Sequence, residues 1–269
     1  MQPLETFPSS VRRRIRGVFF DIDNTLTSDG RLTAEAYSAV ERLEKAGLIV
    51  VPITGRPAGW CDHIARMWPV DGVVGENGAF YFRYDHDRRQ MHKRFLLGDE
   101  ERAANRRRLD ALRDKILMAV PGAGVSSDQL YREADLAIDY REDVALLEPE
   151  EIDRIVAIFK QDGATAKVSS IHVNGWFGDY DKLTMTRLMM RECFDIDLDV
   201  AKAEFVFIGD SPNDAPMFAF FPNAVGVANI KDLAGRLKAE PAYVTLQPCG
   251  AGFAEVVDAL LRDRVGSSK

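Results

Sequence analysis

Two pairs of carboxylates each follow directly on a short apolar run. Val18–Phe19–Phe20 ends abruptly in Asp21–Ile22–Asp23–Asn24–Thr25, and Phe205–Val206–Phe207–Ile208 ends in Gly209–Asp210–Ser211–Pro212–Asn213–Asp214. A lone Asp after a strand is ordinarily a turn former or a helix cap. Two such pairs, Asp21 with Asp23 and Asp210 with Asp214, predict a shared crevice instead. Four carboxylates converging there would repel and raise one another's pKa unless a cation neutralised them. With oxygen ligands and no His or Cys among them, the expected ion is hard. Mg²⁺, which binds through a few carboxylates plus a substrate phosphate, is the natural choice. A third group, Thr54–Gly55–Arg56, follows the apolar run Leu48 to Ile53, and a hydroxyl with free N–H groups at a helix start makes an anion seat.

Strands must carry these residues. Thr33 caps a predicted helix over 34–46 with Ala36, Val40 and Leu43 on its apolar face, and Gly47 stops it. Leu48 to Ile53 is a strand, Pro57 begins the next helix, and Gly72–Val73–Val74 leads into Gly75–Glu76–Asn77–Gly78. The pattern resumes near Asp181 with a helix rich in Leu and Met, then Phe205 to Ile208, a helix over 215–220, Val225–Gly226–Val227, Tyr243–Val244 and a last helix over 252–262. Residues 266–269 are expected to fray. Continuous apolar strands alternating with helices predict an α/β fold, a doubly wound and mostly parallel sheet covered on both faces. In such sheets ligands bind beyond the carboxyl ends of the strands, where these polar residues gather.

Between the two halves the texture changes. Phe80–Tyr81–Phe82–Arg83 and Met91 to Leu96 flank Asp85–His86–Asp87 as a hairpin, and a charged helix spans 99–120. Leu136 to Tyr140 alternates as a strand, 150–161 reads as a helix and Val168 to Val173 as another strand. This predicts an inserted α+β cap domain at 84–174, with the catalytic core at 1–83 and 175–269.

Of 269 residues, 35 are Lys or Arg and 42 Asp or Glu, a net charge of −7, which disfavours a general nucleic-acid binder. Arg12–Arg13–Arg14–Arg16 and Arg106–Arg107–Arg108 are read as solvated flanks. Cys61, Cys193 and Cys249 lie too far apart for a disulfide framework or a zinc cage. His63, His86, His92 and His172 form no HExxH. No run approaches the ~20 apolar residues of a membrane helix, and the N-terminus lacks the apolar stretch of a signal peptide, so a cytoplasmic protein without a membrane partner is expected. Gly72, Gly75 and Gly78 are spaced GxxGxxG, not the GxGxxG of dinucleotide binding.

The residues resemble the haloacid dehalogenase-like (HAD) phosphatases, and four motifs match in order. Asp21 to Thr27 resembles the first, Thr54–Gly55–Arg56–Pro57 the second, Lys182 the third, and Gly209 to Asp214 the fourth. Asn24 and Leu183 stand where many members have Gly. Glu76–Asn77–Gly78–Ala79 and the long insertion between the second and third motifs resemble the capped subgroup IIB, which includes sucrose-, trehalose- and mannosyl-phosphoglycerate phosphatases. The resemblance covers roughly 17–83 and 180–262, with the cap matched by position and length alone.

The resemblance implies a Rossmann-like core and a Mg²⁺-dependent phosphatase acting on a small phosphorylated metabolite, such as a sugar phosphate. It makes Asp21 the nucleophile that forms an aspartyl-phosphate, and Asp23 the group that protonates the leaving oxygen and then activates water. Mg²⁺ would be held by Asp21, the main-chain carbonyl of Asp23, Asp210 and Asp214. Thr54, Gly55, Lys182 and Asn213 would bind the phosphoryl group. A sugar phosphomutase using the same intermediate, or a non-catalytic binding module, are the alternatives. Specificity is expected in the cap, where Tyr131, Arg132, Arg141, His172, Asn174 and Trp176 are candidates; His172 and Trp176 are read as packing residues and the arginines as solvated.

Overall fold

The structure, a computed structural model, describes residues 1–169, 171–262 and 264. The tail at 266–269 lies outside the described residues. Six strands form one all-parallel sheet in the order Gln2–Pro3, Tyr243–Val244, Val225–Gly226, Phe205–Gly209, Gly17–Phe20, Ile49–Pro52. The longer strands are apolar throughout because both faces are covered. Val18, Phe20, Val50, Val206 and Ile208 point into one core, packed by the helices Ala34–Lys45 and Cys249–Arg262. Phe19, Val51, Phe205 and Phe207 point into the other, packed by Lys182–Phe194 and Ala215–Phe220. Each fully buried Val, Leu or Phe of these layers contributes about 1.5–3 kcal/mol. The α/β, doubly wound reading therefore holds.

Local signals set the helix ends. The Thr33 hydroxyl accepts from the Ala36 N–H at 3.2 Å, and Asp181 accepts from Thr184 N at 2.8 Å to open Lys182–Phe194. Pro57 precedes Ala58–Met67, and Gly47 turns the chain with φ +72°.

A second, four-stranded antiparallel sheet runs Gly124–Val125, Asp135–Asp139, His172–Trp176, Thr165–Val168. The helices Asp99–Ala119 and Pro149–Gln161 pack on it around their own core of Leu109, Leu112, Ile116, Ile138, Ile155 and Phe159. The stretch read as one strand from Val168 to Val173 is two strands, because Ser169 and His172 close a turn between them. The hairpin Phe80–Asp85 and Gln90–Phe95 pairs with Val73–Gly75, which joins the parallel sheet through a bridge from Ile53 to Val74. The strand at 90–95 thus follows the first sheet, not the second. Residue 84 lies inside one strand and residue 174 inside another. No helix among the described residues is long and apolar enough to cross a membrane.

One close approach sets the position of the helix that begins at Lys182. Gly78 has φ +107°, and a Cβ there would fall onto the Asp181 carbonyl. Gly78→Ala therefore meets both a left-handed backbone and a backbone clash. It should cost about 2–4 kcal/mol, read as a lowered urea midpoint with an unchanged slope; an unchanged midpoint would show that the approach is not tight.

Candidate active site

Strand register brings the first and fourth motifs together. Phe20 pairs with Ile208, and the Asp21 N–H donates to the Ile208 carbonyl at 2.9 Å, so Asp21 and Asp210 leave adjacent strand ends side by side. Asn24 holds φ +57°, a left-handed turn that Asn tolerates. Asp214 sits one tight turn beyond Asp210 and folds back, its Oδ2 accepting from Asp210 N at 3.1 Å and Ser211 N at 3.3 Å. That return passes over Gly209, where a Cβ would collide with the Asp214 carboxylate.

Carboxylate oxygens of Asp21, Asp210 and Asp214 lie within 4.8 Å of one another, all buried. Lys182, 2% exposed, donates from Nζ to Asp21 Oδ1 and to Asp214 Oδ1, both at 2.7 Å. Asp210 is steadied by Thr25 Oγ1 at 3.2 Å and Asn229 Nδ2 at 3.3 Å. Burial pushes Asp21 up to about 7, with Asp214 and Asp23 adding to the rise and Lys182 opposing it. Asp210 is raised well above the carboxylate range by burial and by its two acidic neighbours. Burial acts to lower the Lys182 ammonium, but Asp21 and Asp214 outweigh it and hold it above its ordinary value. One ammonium against three carboxylates leaves a negative excess in a buried, oxygen-only set, a donor chemistry that suits a divalent hard cation.

The fourth expected carboxylate, Asp23, lines the same cavity as Asp21. Asp23 is not among the converging three; it is gripped by the Arg56 guanidinium, with Nη2 2.9 Å and Nε 3.1 Å from Oδ1. A planar fork neutralises a carboxylate better than a crowd of like charges does. Thr54 is fully buried, its Oγ1 accepting from Arg56 N at 3.0 Å. Asn213 Oδ1 accepts from Ser211 Oγ at 2.6 Å. Asp21, Asp23, Gly55 and Asn213 open onto a cavity of about 10 Å³, the room of about one water, closed from the other side by Ser169, Ile171, His172 and Asn174.

The second sheet contributes more than the sequence reading expected. Arg132, expected to be solvated, is buried: it donates to Asp128 Oδ1 at 2.9 Å, Asp135 Oδ1 at 3.0 Å and the Gly55 carbonyl at 2.9 Å. Its charge is tolerated there because two carboxylates and a carbonyl absorb its donors. Arg56 reaches Glu142 Oε1 at 2.7 Å and Asp128 Oδ2 at 3.3 Å. His172 is buried, its Nε2 2.9 Å from Glu142 Oε2 without hydrogen-bond alignment. Trp176 is packed, stacked on Tyr180, as expected. Asn174 donates to Asp135 at 2.9 Å, while Tyr131 and Arg141 are exposed. Glu76 accepts four backbone N–H groups, from Ala58 at 2.9 Å and from Glu133, Ala134 and Asp135 at 2.6–3.1 Å. Burial, with the Asp135 charge behind it, pushes Glu76 up to about 7. Asp128 and Arg132 are four residues apart, a spacing that could have signalled their pairing, but nothing in the spacing signals that Arg56 meets Asp128 and Glu142, 72 and 86 residues away.

The chain is similar to several known proteins. Residues 18–103 match the family described as haloacid dehalogenase-like hydrolase. The chain is 27% identical to a phosphoglycolate phosphatase of Archaeoglobus fulgidus over 247 residues, covering 91% of this chain and 96% of that one. A Thermoplasma acidophilum structure superposes with a TM-score of 0.68 at 20% identity, over 91% of this chain and 98% of that one. The sucrose-phosphatase of Synechocystis sp. PCC6803, solved with sucrose and phosphate, superposes with a TM-score of 0.59 at 16% identity, over 91% and 98% of the two chains.

Removing the ammonium leaves the buried carboxylates of this cluster uncompensated. Lys182→Met, close in volume, should destabilise the metal-free protein by about 3–5 kcal/mol. Urea unfolding in EDTA would measure it, and an unchanged midpoint would mean that the lysine carries no structural charge balance.

Proposed function

We propose that this chain is a Mg²⁺-dependent phosphatase that hydrolyses a phosphate monoester of a small sugar or related metabolite. The observation that carries this reading is the buried cluster in which Lys182 lies 2.7 Å from both Asp21 and Asp214, with Asp210 completing a set of three close carboxylates. Asp21, Asp210, Asp214 and the main-chain carbonyl of Asp23 would hold the ion. Bound there, Mg²⁺ would neutralise phosphoryl oxygens and so permit a weak carboxylate to attack.

Asp21 is the nucleophile: its oxygen bonds to phosphorus as the bond to the leaving oxygen breaks, giving an aspartyl-phosphate. Asp23, which opens onto the same small cavity, gives its proton to that leaving oxygen. Having lost it, Asp23 takes a proton from the water that hydrolyses the intermediate; such help is typically worth ~10²–10⁴ in rate. Lys182, Thr54, the N–H at Gly55 and Asn213 hold and neutralise the transferring group, in the way phosphoryl transfer demands. Ser169, His172 and Asn174 face the cavity from the second sheet and offer hydroxyl, imidazole and amide groups to a hydroxylated leaving group. The inserted sheet is proposed as the cap that selects it. The similarity to a phosphatase along nearly the whole chain supports the reaction class.

Asp21→Asn keeps the shape and removes the attacking charge. It should lower turnover of a sugar-phosphate panel by at least about 10³-fold with an unaltered melting temperature, and EDTA should silence the wild type until Mg²⁺ is restored. Release of inorganic phosphate separates hydrolysis from isomerisation. Normal turnover by Asp21→Asn would remove the nucleophile from this reading.

A further inference from the structure

Arg56 occupies a position that the proposed chemistry leaves unexplained. It is 6% exposed, and its guanidinium lies 4.4 Å from the Trp60 ring centroid. On one side it holds Asp23, which belongs to the loop after the strand Gly17–Phe20. On the other it holds Asp128 and Glu142, which flank the strand Asp135–Asp139 of the second sheet. The grip on Asp23 is unequal. Oδ1 takes Nη2 at 2.9 Å and Nε at 3.1 Å, whereas Oδ2 takes only the shared Nε at 3.1 Å. One oxygen is thereby anchored and the other is left to meet a ligand in the cavity that Asp23 lines.

We propose that Arg56 is a positioning residue that makes the orientation of the Asp23 carboxylate depend on closure of the second sheet over the first. This deepens the phosphatase reading and rests on it. With Asp128 and Glu142 in place, the guanidinium is fixed from two directions and against an aromatic face, so the rotamer of Asp23 is fixed with it. If the second sheet moved away, Arg56 would keep only Asp23 as a carboxylate partner, and the pair could swing together. Arg56 exchanges no proton in this role. The bond from phosphorus to the leaving oxygen breaks, the oxygen keeps the electron pair, and it takes the proton from Oδ2 of Asp23, the oxygen that Arg56 holds through Nε alone. Glu142, from the second sheet, thus acts on proton delivery without touching phosphorus. His172 and Arg56 hold it ionised, down to about 2 against the effect of burial, which keeps the clamp charged.

The test uses leaving groups that differ in their need for a proton. p-Nitrophenolate departs unprotonated, whereas a sugar alkoxide does not. Full-length Arg56→Lys and Glu142→Gln are assayed in Mg²⁺ with p-nitrophenyl phosphate and with whichever hexose phosphate the wild type hydrolyses fastest. Each variant should lose kcat/KM, which reports the steps up to departure of the leaving group and not the shared hydrolysis of the intermediate, at least about tenfold more on the hexose phosphate than on p-nitrophenyl phosphate. Placed in an Asp23→Asn background, each should cause no further loss on the hexose phosphate. Glu142→Gln, at a partly exposed position, guards against a fold-wide effect of changing buried Arg56, and melting temperatures monitor both. Equal losses on the two substrates, no loss on either, or a further loss without Asp23 would overturn the role of Arg56 and leave the phosphatase reading standing. A wild type that releases phosphate from neither substrate would overturn that reading and this inference with it.

Discussion

Buried like charge is the constraint around which this molecule is organised. Asp21, Asp210 and Asp214 leave the ends of two paired strands so close together that ionising all three is costly. Lys182, brought in on a separate helix, offsets part of that cost from within hydrogen-bond distance of two of them. Much of the surrounding structure serves this balance. The return of Asp214 needs Gly209, the approach of Lys182 needs Gly78, and Asp210 is braced by Thr25 and Asn229. A buried cluster of this kind adds little to stability by itself. Its negative excess suits a hard cation, and with such a cation bound an anionic phosphoryl group would be attracted to the same place, which is what the proposed chemistry requires.

A second polar network runs along the seam between the sheets, and it is balanced more evenly. Arg56 and Arg132 face Asp23, Asp128, Asp135 and Glu142, while Glu76 takes up four backbone donors from both sides. Charge-assisted bonds of this sort are short and directional, so they fix the geometry of the seam more than an apolar contact would. Arg132 reaches the Gly55 carbonyl, and through that bond the second sheet touches the turn that is proposed to seat phosphate. The cavity left between the sheets has room for about one water, so a substrate of sugar size enters only if the seam opens. Recognition and chemistry are then linked through residues that belong to neither sheet alone.

Much of the first sheet was legible before any coordinates. Val18 to Phe20 and Phe205 to Ile208 are short, unbroken apolar runs, and each ends in an Asp, so strand, sheet type and crevice follow from period and punctuation. Thr33, Gly47, Pro57 and Asp181 act through their own backbone neighbours, so their helix ends could be read locally. Asp23 reads as one of four carboxylates around a crevice; it lines the cavity with Asp21, and what the sequence does not show is that Arg56, 33 residues away, holds its carboxylate. Arg132 was read as solvated, since an arginine without visible partners usually is. Its two carboxylates, Asp128 and Asp135, are near neighbours in the chain, but the Gly55 carbonyl it also reaches lies 77 residues away. Val168 to Val173 reads as one apolar strand because periodicity does not register a tight turn inside a short run.

By itself the sequence determined which groups could do chemistry, and which ends of which strands would carry them. Those are properties of residue type and near-neighbour spacing. Tertiary structure decided how the charges are divided: Asp21 and Asp214 on Lys182 with Asp210 close beside them, and Asp23 on a guanidinium shared with the second sheet. Electrostatic pairing falls off with distance in space, not along the chain. No reading of spacing could therefore assign Arg56 to Asp23 and Glu142 until the chain was folded.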